Sequence, residues 1–391
     1  MSPIVRIAAR GEGVTEDGRF APLAAPGDLL AEDGTLTPGP HRATPPCRHF
    51  PECGGCQLQH LDDASYAGFI TDRIAGALAA QGLSADIRPP LLSPPRTRRR
   101  ASLHYDRGRL GFSMAGSHQL IDLAECHILA PLLFAVVAPL RKLLARLAPK
   151  RRVEARLTLA DQGVDALLIG VAAEGLAAAE ALTAFAQKNG LARLSLDSGL
   201  GPETRWEPRP VTVTLGDVPV PLPPGAFLQA TPEGEAALVA AVREAVGAAP
   251  TLADLFAGLG TFALALSEGR RVYAAEAARD AVLALKSGAG RAQRPVFVEH
   301  RDLYRRPLQP AELDRFAAVT LDPPRAGARE QAETLAASAV PVIAYVSCNP
   351  SSFARDAKLL VAGGYRIDWV QPVGQFRWST HVELAARLSR G

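Results

Sequence analysis

Tyr345-Val346-Ser347-Cys348-Asn349-Pro350 is the stretch that decides the fold. It closes an apolar run, 340–346, with a cysteine, a turn and a helix start. Such a run, bounded by turn residues, reads as a strand buried on both faces, as in parallel sheets. Asn349 suits the N-cap of the next helix and Pro350 its first position. Cys348 therefore falls at the carboxyl edge of a sheet, where open α/β folds hold their ligands. A thiol at a helix N-terminus has its thiolate favoured, so Cys348 is expected to be a nucleophile. The plain alternative is a buried cysteine serving as a small apolar residue.

Upstream of this stretch, strands and helices alternate from residue 251 onward. Apolar runs at 252–256, 271–276, 295–298 and 317–321 read as four further strands, each followed by a turn or a helix. That repetition predicts an α/β, doubly wound parallel sheet. Gly258-Leu259-Gly260-Thr261-Phe262-Ala263 satisfies the G-x-G-x-x-A pattern, and Glu276 ends the next strand where an acid would meet a ribose. The pattern alone fits NAD as well as S-adenosylmethionine, and an NAD-dependent oxidoreductase would leave Cys348 unused. Asp322-Pro323-Pro324-Arg325 stiffens a loop at the same edge, with Asp322 free to accept hydrogen bonds.

Towards the N-terminus the composition changes. Cys47, Cys53 and Cys56 are separated by five and two residues, and Gly54-Gly55 lets the backbone turn tightly between them. Cys126 is the remaining candidate for a fourth ligand. Four thiolates bind a [4Fe–4S] cluster or Zn²⁺. A single C-x-x-C pair, rather than the two of common zinc knuckles, favours the cluster. Arg98-Arg99-Arg100 lies between the cysteine segments, at the entry to an alternating strand, and reads as a basic surface for phosphate. The bland reading is a solvated charge run. Helices are expected near 132–147 and 177–188, a strand near 164–171, and a short β-rich unit before a Pro/Gly/Thr-rich linker at 33–46.

Composition limits the functional classes. The chain has 391 residues, enough for two or three domains, and no apolar run of membrane-spanning length. Its start lacks the apolar stretch of a secretory signal, so a cytoplasmic, reducing compartment is expected, where five cysteines speak for metal or catalysis rather than disulfides. The net charge of +3 says little about partners, but only five of 43 basic residues are lysine, and arginine suits phosphate and base recognition.

Taken together, the cysteine spacing, the 254–261 loop, Asp322-Pro-Pro-Arg325, Ser347-Cys348-Asn349-Pro350 and His381-Val382-Glu383 resemble the RNA uracil-5-methyltransferase family, most of all its cluster-containing 23S ribosomal RNA branch. The resemblance covers nearly the whole chain. It implies a class I Rossmann-like methyltransferase domain at 226–391. It further implies a central α+β domain at 47–225 carrying the cluster and binding RNA, and a shortened TRAM-like segment at 1–46. By the same resemblance Cys348 is the nucleophile and Glu383 the base. Gln229, Phe256, Glu276, Asp302 and Asp322 line the S-adenosylmethionine site, and Cys47, Cys53, Cys56 and Cys126 hold [4Fe–4S]. The implied substrate is a single-stranded or flipped uridine of RNA, flanked by Arg98–Arg100, Phe376 and Trp378 and bound by a monomeric enzyme. A transfer RNA methyltransferase and a non-catalytic iron–sulfur RNA-binding protein are the alternatives. Thr261 and Gly374 depart from the family pattern, which has Asn and Asp there.

Overall fold

The computed structural model describes residues 1–390. Four sheets organise them, the smallest being the antiparallel pair Thr212–Leu215 and Val218–Pro221. The first is five-stranded, in the order Phe20–Ala21, Gly13–Thr15, Ser2–Ile7, Leu29–Leu30, Leu36–Thr37. Its strands are very short and enclose a small core of Ile4, Ala21, Ala24 and Leu30. The incomplete unit expected from length thus forms five strands, the last of them inside the segment read as linker. What compensates for the thin core is Asp28. It is fully buried, accepts the N–H groups of Ala25 and Gly39, and is paired with Arg42. Those partners hold its carboxyl below the usual range although burial pushes the other way.

The second sheet has six strands, in the order Pro202–Trp206, Arg193–Asp197, Gly163–Ile169, Val153–Ala160, Arg100–Asp106, Arg109–Gly111. The helices Pro131–Leu147 and Leu176–Lys188 supply Leu133, Val136, Leu140, Leu144 and Leu182 to its core. All three elements predicted here form within two residues of the expected bounds.

The third sheet carries the candidate site residues Glu276 and Glu383 and the strand ends next to the others. Its eight strands run Val296–His300, Arg271–Glu276, Thr251–Leu255, Ala318–Leu321, Val342–Ser347, Glu383–Arg390, Tyr365–Gly374, Leu91–Leu92. The first five are mutually parallel, as the alternation predicted. Glu383–Arg390 then enters antiparallel to both its neighbours. Strand order reverses between Thr251–Leu255 and Ala318–Leu321, which opens a crevice at the carboxyl edge.

Two segments within 47–225, the range expected to form the central domain, pack with this sheet instead. The helix Asp63–Ala79, capped by Asp62, turns Tyr66, Phe69, Ile70 and Ile74 into the same core as Ile343 and Tyr345 of the parallel strands. Leu91–Leu92 extends the sheet edge. An apolar stripe at helical spacing shows that such a helix must be covered, but not by which sheet. No helix among the described residues is long and apolar enough to cross a membrane.

Candidate active site

Five strand ends deliver the candidate residues to one edge. Phe256 follows Thr251–Leu255, Glu276 ends Arg271–Glu276, Asp302 follows Val296–His300, Asp322 follows Ala318–Leu321, and Cys348 follows Val342–Ser347. Glu383 arrives from the opposite direction. Ser347 pairs with Leu384 in the antiparallel ladder, so one step further along it Cys348 stands across from Glu383. That adjacency joins residues 35 positions apart and depends entirely on register.

The acids at this edge are coupled. Glu383 is buried and its carboxyl is pushed up to about 8 by burial, reinforced by Asp322. Burial raises Asp322 to about 7. Beneath them Asp254, fully buried, is raised by burial and again by Asp322. Cys348 is pushed up to about 11 by burial, then by Glu383 and Asp322, while Arg325 pulls weakly the other way. This corrects the expectation of a favoured thiolate. Asn349 does cap the helix Pro350–Ala362, accepting from Ser351 N–H, but two neighbouring carboxyls and burial outweigh a helix terminus.

A chain of amides connects these acids. Gln229 Nε2 donates to Asp322 Oδ2 at 3.3 Å. Gln375 Nε2 donates both to Gln229 Oε1 at 2.8 Å and to Glu383 Oε2 at 2.9 Å, while Gln375 Oε1 accepts Ala230 N–H at 2.9 Å. Gln229 and Gln375 are each almost wholly buried. Gln375 was not singled out in the sequence, where nothing local marks it. Its seat requires Gly234, whose replacement by any larger residue would bring a Cβ to 2.5 Å from Gln375 Cβ. Gly374, the departure beside it, has an equally plain cause: a Cβ there would stand 2.6 Å from Leu92 Cδ2.

On the far side of the crevice Glu276 accepts Gly258 N–H through Oε2 and Ala278 N–H through Oε1, which fixes the carboxylate and leaves each oxygen a lone pair. Phe256 adopts φ +64° and packs its ring 5.5 Å from that of Tyr304. Asp302 is bound to its own turn through the N–H groups of Tyr304 and Arg305. Thr261 starts the short helix Thr261–Ala265 behind the glycine loop.

The four remaining cysteines line a single pocket with Arg98 and Phe112. Among the described residues, no three His, Cys, Asp or Glu side chains are grouped as ligands of one ion. Burial raises Cys47, Cys53 and, to about 12, Cys56, and neighbouring thiols add to it.

Two further expectations are corrected. Arg99 is buried, paired with Glu235 and bonded to Gln229 O, so it braces the site from within and does not face RNA. Trp378 is 8% exposed and offers no free face for stacking. Arg98, Arg100 and Phe376 line an open cavity.

Comparison with known proteins gives this edge its meaning. The family model described as tRNA (Uracil-5-)-methyltransferase matches residues 296–391, which include Asp302, Asp322, Cys348, Gln375 and Glu383. An RNA methyltransferase of Zymomonas mobilis is 54% identical over 100% of both chains. The 23S rRNA (uracil(1939)-C(5))-methyltransferase RlmD of Halomonas elongata is 32% identical, over 88% of this chain and 76% of the relative. The crystal structure of the Pyrococcus abyssi tRNA (uracil-54, C5)-methyltransferase in complex with S-adenosyl-L-homocysteine superposes with a TM-score of 0.79 at 23% identity, covering 99% of this chain and 98% of that one, a likeness of fold. The chain belongs to the RNA (uracil-5-)-methyltransferases.

Proposed function

We propose that this enzyme methylates carbon 5 of a uridine in 23S ribosomal RNA through a covalent adduct between Cys348 and carbon 6 of the base. The observation that carries the covalent route is the ladder register that faces Cys348 with Glu383 beside Asp322. Carbon 5 of uracil is too weak a nucleophile to accept a methyl group unaided. Cys348 gives up its proton to solvent and adds to carbon 6 as the thiolate, which moves the ring electrons to an enolate with charge at carbon 5. S-adenosylmethionine supplies the electrophilic methyl group and leaves as S-adenosylhomocysteine. Glu383 then takes the carbon 5 proton, and the returning electron pair expels the Cys348 thiolate. Gln375 holds the Glu383 carboxyl for that step. Gln229, Phe256, Glu276, Asp302 and Asp322 are the residues assigned to the cofactor. The fixed carboxylate of Glu276 suits ribose hydroxyls, and Asp322 suits a positively charged donor.

Ribosomal RNA is preferred because the Halomonas relative carries that specificity at 32% identity over most of the chain, whereas the transfer RNA enzyme from Pyrococcus supports the fold. The four cysteines line one pocket, and their spacing, with a single C-x-x-C pair, favours a [4Fe–4S] cluster over zinc. Cys47, Cys53, Cys56 and Cys126 would hold it, and its work would be to fix the segment bearing Arg98. The cluster, the monomeric state and the cytoplasmic setting are parts of the same reading.

Ribosomal RNA carrying 5-fluorouridine tests the adduct. Incubated with the protein and S-adenosylmethionine, it should give a denaturant-stable complex whose cross-linked peptide contains Cys348, because fluorine cannot be abstracted. A complex formed equally well by Cys348→Ala, or none with the wild type, sinks the covalent route. Transfer RNA substrate giving the adduct when ribosomal RNA does not would reassign the target.

A further inference from the structure

The loop 375–382 joins the strand Tyr365–Gly374 to the antiparallel strand Glu383–Arg390. Its start is bonded to the residue that follows it, since Gln375 Nε2 donates to Glu383 Oε2 at 2.9 Å. Between them the chain leaves the sheet and reaches the cysteine segment. The Trp378 carbonyl accepts the N–H groups of Gln57 at 2.8 Å and Leu58 at 2.9 Å. Gln57 Oε1 accepts Thr380 N–H at 3.4 Å, and Gln57 Nε2 donates to Gly54 O at 2.6 Å. The Trp378 indole packs in a small cluster with Cys56 and Ile128, and Cys126 lies against it. The loop between the acid and its amide partner is therefore seated on the segment that carries the four cysteines.

Trp378 adopts φ +60°, a left-handed conformation that is costly for a bulky side chain. Glycine takes such a conformation freely, so the turn alone does not call for a tryptophan. Strain of this kind persists only where the surroundings over-determine it, and it gathers at functional sites. The surroundings here are the two N–H groups on its carbonyl and the apolar seat of its ring. Its neighbours are tied elsewhere. Arg377 lies 4.9 Å from the centre of the indole, pairs with Asp63 and donates to Ser93 O at 3.3 Å. Tyr66 donates its hydroxyl to Phe376 O at 3.0 Å, and the Phe376 side chain lines the cavity of Arg98 and Arg100. Arg377 and Phe376 thus hold the loop to the helix Asp63–Ala79, and Trp378 holds it to the cysteines. Ile128 O also accepts Arg98 N–H at 3.0 Å, so one cluster fixes the arginine segment and the loop together.

We propose that Trp378 is a positioning residue for the base: by seating the 375–382 loop against Cys56, Ile128 and Cys126, it holds Gln375 and Glu383 in the arrangement that proton removal needs. This rests on the reading above in that Glu383 is the base. Trp378 acts through the loop, with its own ring turned to the cysteines. The antiparallel ladder fixes the Glu383 backbone through its pairing with Val373, but the carboxyl is oriented by Gln375, which stands on the loop. An unseated loop therefore leaves the base in place and its carboxyl misdirected. A misplacement of about 1 Å at a reacting group costs on the order of 100-fold in rate, so the loss falls on the chemical step rather than on binding.

The test compares Trp378→Gly, which suits the backbone and removes the seat, with Trp378→Phe, which keeps a ring. Methyl transfer is measured on RNA from cells lacking the enzyme. Trp378→Gly should lower kcat about tenfold or more with KM for S-adenosylmethionine within about twofold, and Trp378→Phe should recover most of the rate. Ile128→Ala, in the cysteine pocket and away from the crevice acids, should give a smaller loss. The double variant should be no slower than Trp378→Gly, because the two residues act as one unit. Hydrogen exchange reads the coupling without turnover. Ile128→Ala should speed exchange at Ser379, Thr380 and His381, whose N–H groups are bonded in this loop, and leave Val296–His300 unchanged. Full activity in Trp378→Gly, additive losses, or unchanged exchange in Ile128→Ala overturns the proposal, as does a KM that rises as far as kcat falls. If Trp378→Gly fails to melt cooperatively or to bind S-adenosylhomocysteine, the rate and exchange of Ile128→Ala decide. The 5-fluorouridine adduct separates the two readings. A wild type that forms it while the losses are additive loses this role of Trp378 alone. A wild type that forms none while the loop is coupled loses the covalent reading alone.

Discussion

The crevice and the arginine cavity share a wall but solve opposite electrostatic problems. In the crevice, burial raises the proton affinity of Cys348, Asp322, Glu383 and Asp254, Asp322 adds to it at the other three, and the amides of Gln229 and Gln375 bridge Asp322 to Glu383. In the cavity lined by Arg98, Arg100 and Arg156, burial and then the neighbouring arginines push Arg100 down, and the acid in the wall, Glu154, is bonded to Arg156. Each pocket is short of one charge: the first suits a cation such as a sulfonium, the second an anion such as a phosphate. Packing like charges together is unfavourable in the free protein, and a ligand of the opposite sign relieves it, so the strain becomes selectivity for the charged partner.

The largest effect should come from Glu383. Glu383→Gln removes the proposed base and should lower turnover by about 100-fold or more, with the proposed covalent adduct accumulating on ordinary uridine RNA. The same change should stabilise the protein in a pH-dependent way. A carboxyl whose folded pKa is raised opposes folding as pH climbs from its unfolded value of about 4.5 through its folded value of about 8. Melting temperatures of wild type and Glu383→Gln should therefore nearly coincide at low pH, with the variant higher in alkaline buffer. Equal melting at both ends would mean the crevice acids are not strained.

A smaller effect is expected from Gln375→Leu, which keeps volume but deletes the amide bridge. Gln375 lowers the proton affinity of Glu383, so its loss should move the rising limb of the pH–rate profile to higher pH. A move of one pKa unit would cost roughly tenfold in rate on the acid side. A purely structural role would depress the rate at every pH and leave the limb in place.

The finest test addresses charge alone. Alkylation of Cys348 by iodoacetamide, followed on its own peptide by mass spectrometry, should rise with pH towards about 11 in the free enzyme. S-adenosylmethionine should shift that curve down, and uncharged S-adenosylhomocysteine should shift it much less. Identical shifts from the two would show that the crevice responds to occupancy, not to charge.

Much of this was legible in the sequence because the signals are local. The end of an apolar run puts Cys348 at a sheet edge whatever lies beside it, and the same holds for Phe256, Glu276, Asp302 and Asp322 at the other strand ends. The run Arg98-Arg99-Arg100 was expected as one basic surface, and the inward turn of Arg99 was missed, although successive residues of extended backbone take opposite sides. Trp378 gave no such sign of its burial.

The sequence by itself determined the strand–helix repetition, the thiol at its fifth strand end and the grouping of the cysteine segment, since each depends on neighbours along the chain. Only the tertiary structure decided that Glu383 faces Cys348, that Gln375 bridges Gln229 to Glu383, that the helix Asp63–Ala79 covers the catalytic sheet, and that the Cys348 thiol holds its proton tightly. Ladder register and summed burial and charge are properties of the whole assembly, and no stretch of residues carries them alone.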